Sequence, residues 1–384
     1  MRPEARLSAA IEILDRVLEG QSAETALTGW GRSNRFAGSG DRAALRDLVF
    51  DALRCKRSYA ALGGAMTGRG LILGGMRERG EAVEAMFTGI GHAPPVLGPA
   101  DAERAPLPNE ALDCPDWLAP ALQASLQTDF TAVMQAMRQR APLYLRVNPA
   151  RATIAQALES LAVAGIVAQP VNSVNYALEV TENARKIQTS AAYLSGAVEL
   201  QDAASQAVIE ALPLRDGLRV LDYCAGGGGK TLAMAARARL QIFAHDIAPR
   251  RMADLPARAE RAGVSVQILE SGDISAPYDL ILTDAPCSGS GSWRRDPQGK
   301  WALTAKRLGE LVQVQAEILD RVAPMVAPEG VLAYVTCSML RVENEDQVKA
   351  FLGRNARFSL LRQLNFTPLQ GGDGFFLAIL QRNE

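Results

Sequence analysis

The chain has 384 residues, and its 41 basic side chains almost cancel its 42 acidic ones. A chain of this length predicts two or three domains with a large buried core. The charge balance neither requires nor excludes a nucleic-acid partner, because a basic face can be offset by acidic residues elsewhere.

The five cysteines stand far apart, at positions 55, 114, 224, 287 and 337, and form no CxxC pair. This odd, widely spaced set does not indicate a disulfide framework, and with only two histidines in the chain we expect no metal site. The N-terminus carries acidic residues and the chain has no long apolar run. These features predict a cytoplasmic protein without a signal peptide or a membrane segment.

The first third of the chain has helical patterns. Apolar residues spaced three or four apart over 5–20 predict an amphipathic helix, and similar patterns continue to about residue 87. Seven prolines between 91 and 120 indicate a linker or an extended segment, and a short helix follows over about 117–138. Two interpretations stay open here: an RNA-docking module, or an ordinary helical bundle with solvated arginines.

The pattern changes at residue 142. Strands are expected over 142–147, 166–170 and 176–180, with a helix over 152–164. This order predicts a small α+β domain whose shape is RRM-like, although the aromatic signature of a true RRM is absent. Arg146 and Asn148 are candidates for contacting a phosphate or a base edge, with a plain surface role as the alternative.

From about residue 206, strands and helices alternate. This predicts an α/β domain with a mostly parallel, doubly wound, Rossmann-like sheet. Ligands of such sheets bind beyond the carboxyl ends of the strands. The predicted strands end at or just before Asp222, Asp246, Asp284 and Cys337, where core packing would favour apolar residues. The expected strands are 219–222, 242–246, 264–269, 279–284, 331–336 and 375–380, and the expected helices are 230–238, 250–262, 304–326 and 344–352.

A glycine-rich loop follows the strand that ends in Asp222. Glycine lets the backbone adopt positive φ and approach a ligand closely. A P-loop would need glycine where Cys224 stands, and the G-x-G-x-x-G fingerprint of dinucleotide sites is not met. The loop therefore indicates a ligand without specifying a nucleotide phosphate. Its residues are Cys224, Ala225, Gly226, Gly227, Gly228, Gly229 and Lys230.

The acidic residues narrow the choice of ligand. Asp246 suits the two hydroxyls of a ribose, and Asp273 is a candidate for the amino group of an adenine. With Asp222 and Asp284 nearby, the site repels a pyrophosphate and suits a ligand with a cationic centre. Each acid alone could equally be a cap or turn residue. Together they predict S-adenosylmethionine, whose sulfonium carries a positive charge.

Two cysteines stand where the substrate is expected. Cys287 lies in DAPCSGSG and Cys337 in VTCS, and each follows an apolar strand. A thiolate is a strong carbon nucleophile, but a free cysteine is often only a small buried hydrophobic residue. Two cysteines beside small polar residues favour chemistry.

The motifs DYCAGGGGKT, DAPCSGSG and VTCS resemble the signatures of the Nop/Sun family of RNA cytosine-C5 methyltransferases, most closely its bacterial small-subunit rRNA members. The first helices, with DRAALRDLVFDALR, look like a NusB-like RNA-binding domain. The resemblance implies three domains: an all-α NusB-like domain with a proline-rich linker at 1–138, an RRM-like domain at 139–205, and a class I S-adenosylmethionine methyltransferase domain at 206–384.

The same resemblance implies roles for the site residues, and it alone orders the two cysteines. Cys337 matches the nucleophile that adds to C6 of cytosine. Cys287 matches the cysteine that assists release of the methylated product, and Asp284 matches the acid beside N3 and N4 of the ring. The cofactor set comprises Cys224–Lys230, with Asp246 on the ribose, Asp273 on the adenine and Asp284 at the edge of the site.

Two sequence features complete the expectations. The family usually has Ala-Pro where this chain has Gly226-Gly227. The lost proline makes the loop more flexible in the unfolded state, which costs about 0.4–1 kcal/mol of stability, and we expect a lower cofactor affinity than is typical. The segment after DAPCSGSG is expected to form a loop over the site. Its Arg294, Arg295 and Lys300 are candidates for RNA phosphates, with a solvated turn as the alternative.

The sequence thus predicts a monomeric, cytoplasmic RNA methyltransferase that forms 5-methylcytosine, with ribosomal RNA as its substrate. Three alternatives stay open: the same chemistry on tRNA, a non-enzymatic ribosome-assembly factor, and a nucleotide hydrolase. Cys224 argues against the nucleotide hydrolase, because a P-loop would have glycine at this position.

Overall fold

A computed structural model describes residues 1–384. The chain divides into two compact units, one comprising Met1–Arg140 with Trp293–Ala302 and the other Ala141–Ser292 with Leu303–Glu384. The finer division at 1–138, 139–205 and 206–384 stays a prediction. None of the helices combines the length and the apolar character needed to cross a lipid bilayer.

The helices and strands have the following bounds. The helices are α1 (Pro3–Leu18), α2 (Ala23–Ser33), α3 (Ser39–Arg54), α4 (Lys56–Leu62), α5 (Gly68–Glu78), α6 (Val83–Met86), α7 (Pro108–Ala111), α8 (Ala119–Leu126), α9 (Phe130–Met137), α10 (Ile154–Val163), α11 (Ala191–Leu194), α12 (Ala203–Glu210), α13 (Gly229–Ala235), α14 (Leu255–Ala262), α15 (Pro297–Ala302), α16 (Ala305–Val322) and α17 (Glu345–Arg354). The strands are β1 (Leu143–Val147), β2 (Val167–Pro170), β3 (Ala177–Glu182), β4 (Val198–Leu200), β5 (Arg219–Asp222), β6 (Gln241–Ala244), β7 (Gln267–Ile268), β8 (Tyr278–Asp284), β9 (Val326–Thr336), β10 (Phe358–Phe366) and β11 (Phe375–Arg382).

The first unit is helical, as predicted. α1 buries Leu7, Ala10 and Leu14, because residues three or four apart share one face of a helix. These side chains join a core that also contains Trp30 and Phe87. The helix expected over 117–138 is divided into α8 and α9. The likeness of this unit to a NusB domain stays a prediction.

A buried carboxylate ties distant parts of the first unit together. Asp113 accepts hydrogen bonds from the Ser58 backbone N–H at 3.0 Å and the Ser58 hydroxyl at 2.7 Å. It also accepts one from the Arg57 backbone N–H at 2.8 Å and pairs with the Arg138 guanidinium at 2.9 Å. Asp113 therefore satisfies the open N–H groups at the start of α4 and holds them to the end of α9.

Residues 293–302 belong to this helical unit. The Lys300 ammonium is buried and donates to the Arg54 carbonyl at 3.0 Å, while the Arg54 Nε donates to the Arg294 carbonyl at 3.0 Å. The prediction that Arg294 and Lys300 contact RNA phosphates is therefore wrong, because both side chains are buried with this segment against α3. Arg295 is exposed, and its role stays a prediction.

The small sheet of the second unit confirms the predicted α+β segment. Its strands are antiparallel in the order β2-β3-β1-β4, and α10 packs with them around Leu145, Leu161 and Leu178. The three-residue strand β4 was not predicted. A capping box of Thr153 and Gln156 begins α10, which explains why the helix starts where it does.

Two polar residues at the end of β1 have a structural role. The buried Arg146 donates to the Gly229 carbonyl at 2.9 Å, and Asn148 donates to the Ala262 carbonyl at 2.9 Å. These bonds fasten the small sheet to α13 and to the end of α14. The prediction that Arg146 and Asn148 contact a nucleic acid is therefore wrong.

The large sheet has the order β10-β11-β9-β8-β5-β6-β7 and is parallel from β9 to β7, which confirms the predicted Rossmann-like class. β11 and β10 run antiparallel at one edge. Alternate residues enter two cores: Ile281 and Leu332 join one, whereas Leu280 and Ala333 join the other. Both faces are therefore covered, as parallel sheets require. The exposed edge strand β10 was not predicted.

β5 ends in a fully buried acid. One carboxylate oxygen of Asp222 accepts a hydrogen bond from the Thr231 hydroxyl at 2.6 Å, and the other has no hydrogen-bond partner. Desolvation raises the pKa of Asp222 to about 7, against the Thr231 hydrogen bond and with added repulsion from Asp284. The fold thus holds a poorly solvated carboxyl group directly before the glycine-rich loop.

We predict that Asp113→Ala lowers the free energy of unfolding by about 3 kcal/mol, because it leaves the partly buried Arg138 without this partner. The control is Asp116→Ala, which breaks a pair with Arg57 in which the carboxylate is 66% exposed, at a cost below about 1 kcal/mol. Denaturant unfolding followed by tryptophan fluorescence measures both. Equal losses in the two variants would contradict the prediction.

We predict that Asp222→Asn changes how stability depends on pH. The unfolded chain releases this proton near pH 4, whereas the folded chain keeps it until about 7. The contribution of Asp222 to stability is therefore complete below about pH 4 and is lost as the pH rises through about 7. Thermal unfolding at several pH values should show wild type losing stability relative to the variant across this range. A difference that does not change with pH would refute this.

Candidate active site

The glycine-rich loop leaves the carboxyl end of β5 and enters α13. Gly226 and Gly228 have φ values of 52° and 78°, a region that side chains disfavour. A Cβ atom at Gly228 would lie 2.3 Å from Cδ1 of Leu255. Glycine at 228 is therefore required by both the backbone and the packing.

Two arginines cover the Gly226-Gly227 pair, the position at which the family resemblance implies Ala-Pro. A Cβ atom at Gly226 would lie 3.2 Å from Nη2 of Arg251, and one at Gly227 would lie 3.2 Å from Nη1 of Arg258. Arg258 also donates a hydrogen bond to the Gly227 carbonyl. The guanidinium groups thus occupy space that the missing side chains leave. A reduced cofactor affinity stays a prediction.

Asp246 lies beside this loop. Its buried carboxylate accepts hydrogen bonds from the Gly226 N–H and the Ala248 N–H, each at 2.9 Å, and from Arg251 at 3.0 Å. Asp246 therefore lies at the loop, and both of its carboxylate oxygens accept hydrogen bonds from the protein. Asp273 is exposed and follows β7, which pairs in parallel with β6, the strand before Asp246. The ribose and adenine roles of these two acids stay predictions.

The acidic surroundings of the loop suppress the reactivity of Cys224. Burial is the main factor that raises the pKa of its thiol, and the carboxylates of Asp222, Asp284 and Asp246 raise it further. A protonated thiol is a poor nucleophile. The structure thus brings three of the four predicted acids around Cys224, and its thiol is held in the protonated form.

Lys230 faces the end of β8. Its ammonium lies 2.6 Å from Oδ2 of Asp284 and 5.0 Å from the centre of the Phe375 ring. Desolvation lowers the pKa of Lys230, but attraction and hydrogen bonding to Asp284, together with Cys337 and Asp222, outweigh it and raise that pKa. Lys230 therefore stays charged, and it pairs with the predicted catalytic acid.

The two cysteine motifs meet at the ends of β8 and β9. These strands pair in parallel with Asp284 opposite Val335, so their next residues reach the same edge of the sheet. The sulfur atoms of Cys287 and Cys337 lie 3.4 Å apart, although 50 residues separate them in the chain. The Gly291 N–H also donates to the Cys337 carbonyl at 2.9 Å.

The pair is electrostatically unequal. The hydrogen bond from Cys287 lowers the pKa of Cys337, against desolvation and repulsion from Asp284, and the charge of Lys230 lowers it further. Giving that hydrogen bond raises the pKa of Cys287, as do burial, the Cys337 charge and the carboxylate of Glu343. Of the two thiols, Cys337 is therefore the one that loses its proton more readily.

Sequence reasoning missed two residues at this edge of the sheet. Glu343 is buried and bonds to the residues that follow both cysteines. Ile247, directly after Asp246, is an apolar residue that is 77% exposed. Two sequence features could have indicated these residues. One is the acidic residue in VENE, which follows VTCS, and the other is the apolar residue directly after FAHD.

Two thiols of unequal acidity, a carboxylate and an ammonium thus meet at the carboxyl ends of two adjacent parallel strands. Such a set is chemically able to add sulfur to an unsaturated carbon and to move a proton at a neighbouring atom. Its members are Cys337, Cys287, Asp284 and Lys230.

Family models match two parts of the chain. Residues 209–381 match 16S rRNA methyltransferase RsmB/F, and residues 114–187 match the ferredoxin-like domain of RsmF/B-like methyltransferases. Ribosomal RNA small subunit methyltransferase B of Salmonella typhi is 36% identical over 285 residues, and that of Serratia proteamaculans is 32% identical over 283. Each match covers 69% of this chain and 66% of the relative, just under two thirds of its length.

Solved structures share the fold. The crystal structure of PH0851 superposes with a TM-score of 0.77 at 21% identity and covers 100% of this chain and 99% of that one. NSun6 from Pyrococcus horikoshii with SFG gives 0.62 at 16% identity, with coverage of 70% and 98%. As the Nop/Sun resemblance of its motifs predicted, the chain belongs to the RsmB/F methyltransferase family.

Proposed function

We propose that the chain is an S-adenosylmethionine-dependent RNA methyltransferase that forms 5-methylcytosine in 16S ribosomal RNA. The observation that carries this proposal is the 3.4 Å contact between the sulfur atoms of Cys337 and Cys287 beside the Asp284–Lys230 pair. The names of the curated relatives support ribosomal RNA as the substrate. Five free cysteines suit action in the reducing cytoplasm, and we propose that the protein acts there as a monomer.

The glycine-rich loop and its acids fit S-adenosylmethionine. One oxygen of Asp222 is buried without a partner, and the surrounding carboxylates favour a cationic ligand. We propose that Cys224–Lys230 and Asp246 hold the cofactor, with Asp273 on the adenine and the exposed Ile247 as an apolar wall. When bound, the cofactor supplies an electrophilic methyl group.

The protein groups prepare the cytosine for reaction. The Cys337 thiolate forms a bond to C6, which shifts electron density toward C5 and the N3 side of the ring. Asp284 contacts the ring near N3 and N4, with Lys230 holding its carboxylate in place. Cys287 assists release of the product: the C5 proton leaves to solvent, its electron pair re-forms the C5–C6 double bond, and the bond from Cys337 to C6 breaks to return the Cys337 thiolate. The target base must be unpaired or flipped for Cys337 to reach it.

The remaining regions have proposed roles in docking the RNA. We propose that the helical segment 1–138 acts as a NusB-like RNA-binding domain and that 139–205 and 206–384 form the RRM-like and catalytic domains. Of the three basic residues predicted to contact RNA phosphates, the exposed Arg295 remains a candidate.

We predict that Cys337→Ala abolishes methylation while leaving cofactor binding intact, since the thiolate acts on the base. Bisulfite sequencing of total RNA compares cells lacking the gene with cells complemented by wild type, Cys337→Ala or Cys114→Ala. A protected cytosine in 16S rRNA should return with wild type and with Cys114→Ala, whose cysteine is buried in the first unit. Calorimetry measures S-adenosylmethionine binding to each purified protein.

The other outcomes identify the alternatives. Loss of protection confined to tRNA would make tRNA the substrate. Restored methylation with Cys337→Ala would refute the nucleophile, and full biological rescue by an inactive Cys337→Ala would favour an assembly factor.

We predict that Cys287→Ala accumulates a covalent protein–RNA adduct, because the step that releases Cys337 from C6 is impaired. Losing the hydrogen bond from Cys287 also raises the pKa of Cys337, so the adduct should form more slowly than the first bond forms in wild type. A denaturing gel shows the adduct as a shifted band. The control is the double variant Cys287→Ala/Cys337→Ala, and a band in that lane, or none with Cys287→Ala, would count against this role.

A further inference from the structure

Glu343 lies in the short turn between β9 and α17, and its side chain is fully buried. None of the motifs that predicted the site includes it. A buried carboxylate is costly unless hydrogen bonds replace its hydration. The partners that replace that hydration therefore indicate what Glu343 does.

The carboxylate of Glu343 joins the two cysteine loops. One oxygen accepts the Ser288 N–H at 2.8 Å and the Gln315 side-chain amide at 3.0 Å. The other accepts the hydroxyls of Ser288 and Ser338, each at 2.5 Å. Ser288 directly follows Cys287, and Ser338 directly follows Cys337. One side chain thus sets the position of both loops.

The backbone around Glu343 is itself fixed to β9. The Tyr334 hydroxyl donates to the Glu343 carbonyl at 2.6 Å. The next residue, Asn344, donates to the Ser338 carbonyl at 2.9 Å and accepts from the Thr336 hydroxyl at 2.6 Å. The carboxylate therefore has little freedom to move relative to the strand that carries Cys337.

The negative charge of Glu343 acts on the thiol side of the cysteine pair. Its carboxylate adds to the factors that raise the pKa of Cys287, behind the hydrogen bond to Cys337, burial and the Cys337 charge. Lys230 and Asp284 act on Cys337 from the other side, with opposite effects. Tyr334, also near Cys287 and Glu343, has its pKa raised mainly by burial and stays neutral.

We propose that Glu343 is a positioning residue for cytosine methylation: its carboxylate fixes Ser288 and Ser338, which follow the two cysteines, and places a negative charge on the Cys287 side, so that Cys337 acts as the nucleophile. This inference rests on the proposed function, because only that reaction gives the two cysteines these roles. A glutamate with a purely structural role would hold the two cysteine loops in place without affecting which of the two cysteines carries the shared proton.

The first test needs no RNA. Wild type, Glu343→Gln and the control Glu345→Gln are alkylated with iodoacetamide at one pH near neutrality, and mass spectrometry follows each cysteine peptide. Glu345 is the matched control because it lies two residues from Glu343 and its carboxylate accepts a hydrogen bond from the exposed Asn365. We expect wild type and Glu345→Gln to label Cys337 on the order of tenfold faster than Cys287, and Glu343→Gln to lose most of that preference.

The second test measures methyl transfer to the RNA. Glu343→Gln should lower kcat on the order of tenfold with the RNA KM unchanged, because the residue acts on the reacting groups and not on docking. Glu343→Asp keeps the charge, so its labelling preference should lie closer to wild type than that of Glu343→Gln. If Glu343→Gln does not fold by circular dichroism, Glu343→Asp becomes the test: its shorter side chain cannot hold both Ser288 and Ser338, so kcat should fall, and a wild-type kcat in that variant overturns the proposal.

An unchanged labelling ratio or kcat in folded Glu343→Gln, or an equal loss in Glu345→Gln, also overturns it. Failure of the proposed function has a different signature: wild type methylates no RNA, while the labelling ratio still reports whether Glu343 assigns the proton.

Discussion

The parallel pairing of β8 with β9 is the constraint on which the candidate site depends. Asp284 stands opposite Val335, so Cys287 and Cys337 emerge at one edge of the sheet a few residues later. Apolar side chains on both faces hold this register, since a slip of one residue would move Ile281 into the opposite core. The geometry of the candidate site therefore follows from ordinary hydrophobic patterning in the buried parts of β8 and β9 that precede Asp284 and Cys337.

Burial gives the groups at this edge their different properties. Solvent would leave all of them close to their ordinary pKa values, whereas the dry environment amplifies each neighbour's charge. The carboxylates of Asp222 and Asp246 help to keep the thiol of Cys224 protonated, and Lys230 favours the thiolate of Cys337. Two cysteines in similar sequence settings thus differ in reactivity because of where their neighbours lie.

The sequence was sufficient to predict the sheet class and the meeting of the cysteine motifs, because strand periodicity and strand-end position are local properties. It was insufficient to predict the burial of Arg146 and Lys300. Both look like solvated cations in the sequence, but they are buried and donate hydrogen bonds to carbonyl groups of residues far along the chain. Glu343 was missed for the same reason, since its partners come from separate loops. The edge strand β10 lacks a buried face, so its alternation was too weak to recognise.

The excursion at Trp293–Ala302 has a consequence for how this protein can be divided. The chain leaves the catalytic unit immediately after Ser292, contributes a helix to the N-terminal unit, and returns at Leu303. Lys300 and Trp301 donate to backbone carbonyls of α3 from within that helix. A fragment that begins after Arg140 would keep Lys300 and Trp301 but would lack the α3 carbonyl groups to which they donate. The catalytic unit is thus contiguous in space but not in sequence, and a gene fusion or truncation cannot exchange the N-terminal unit as an independent module.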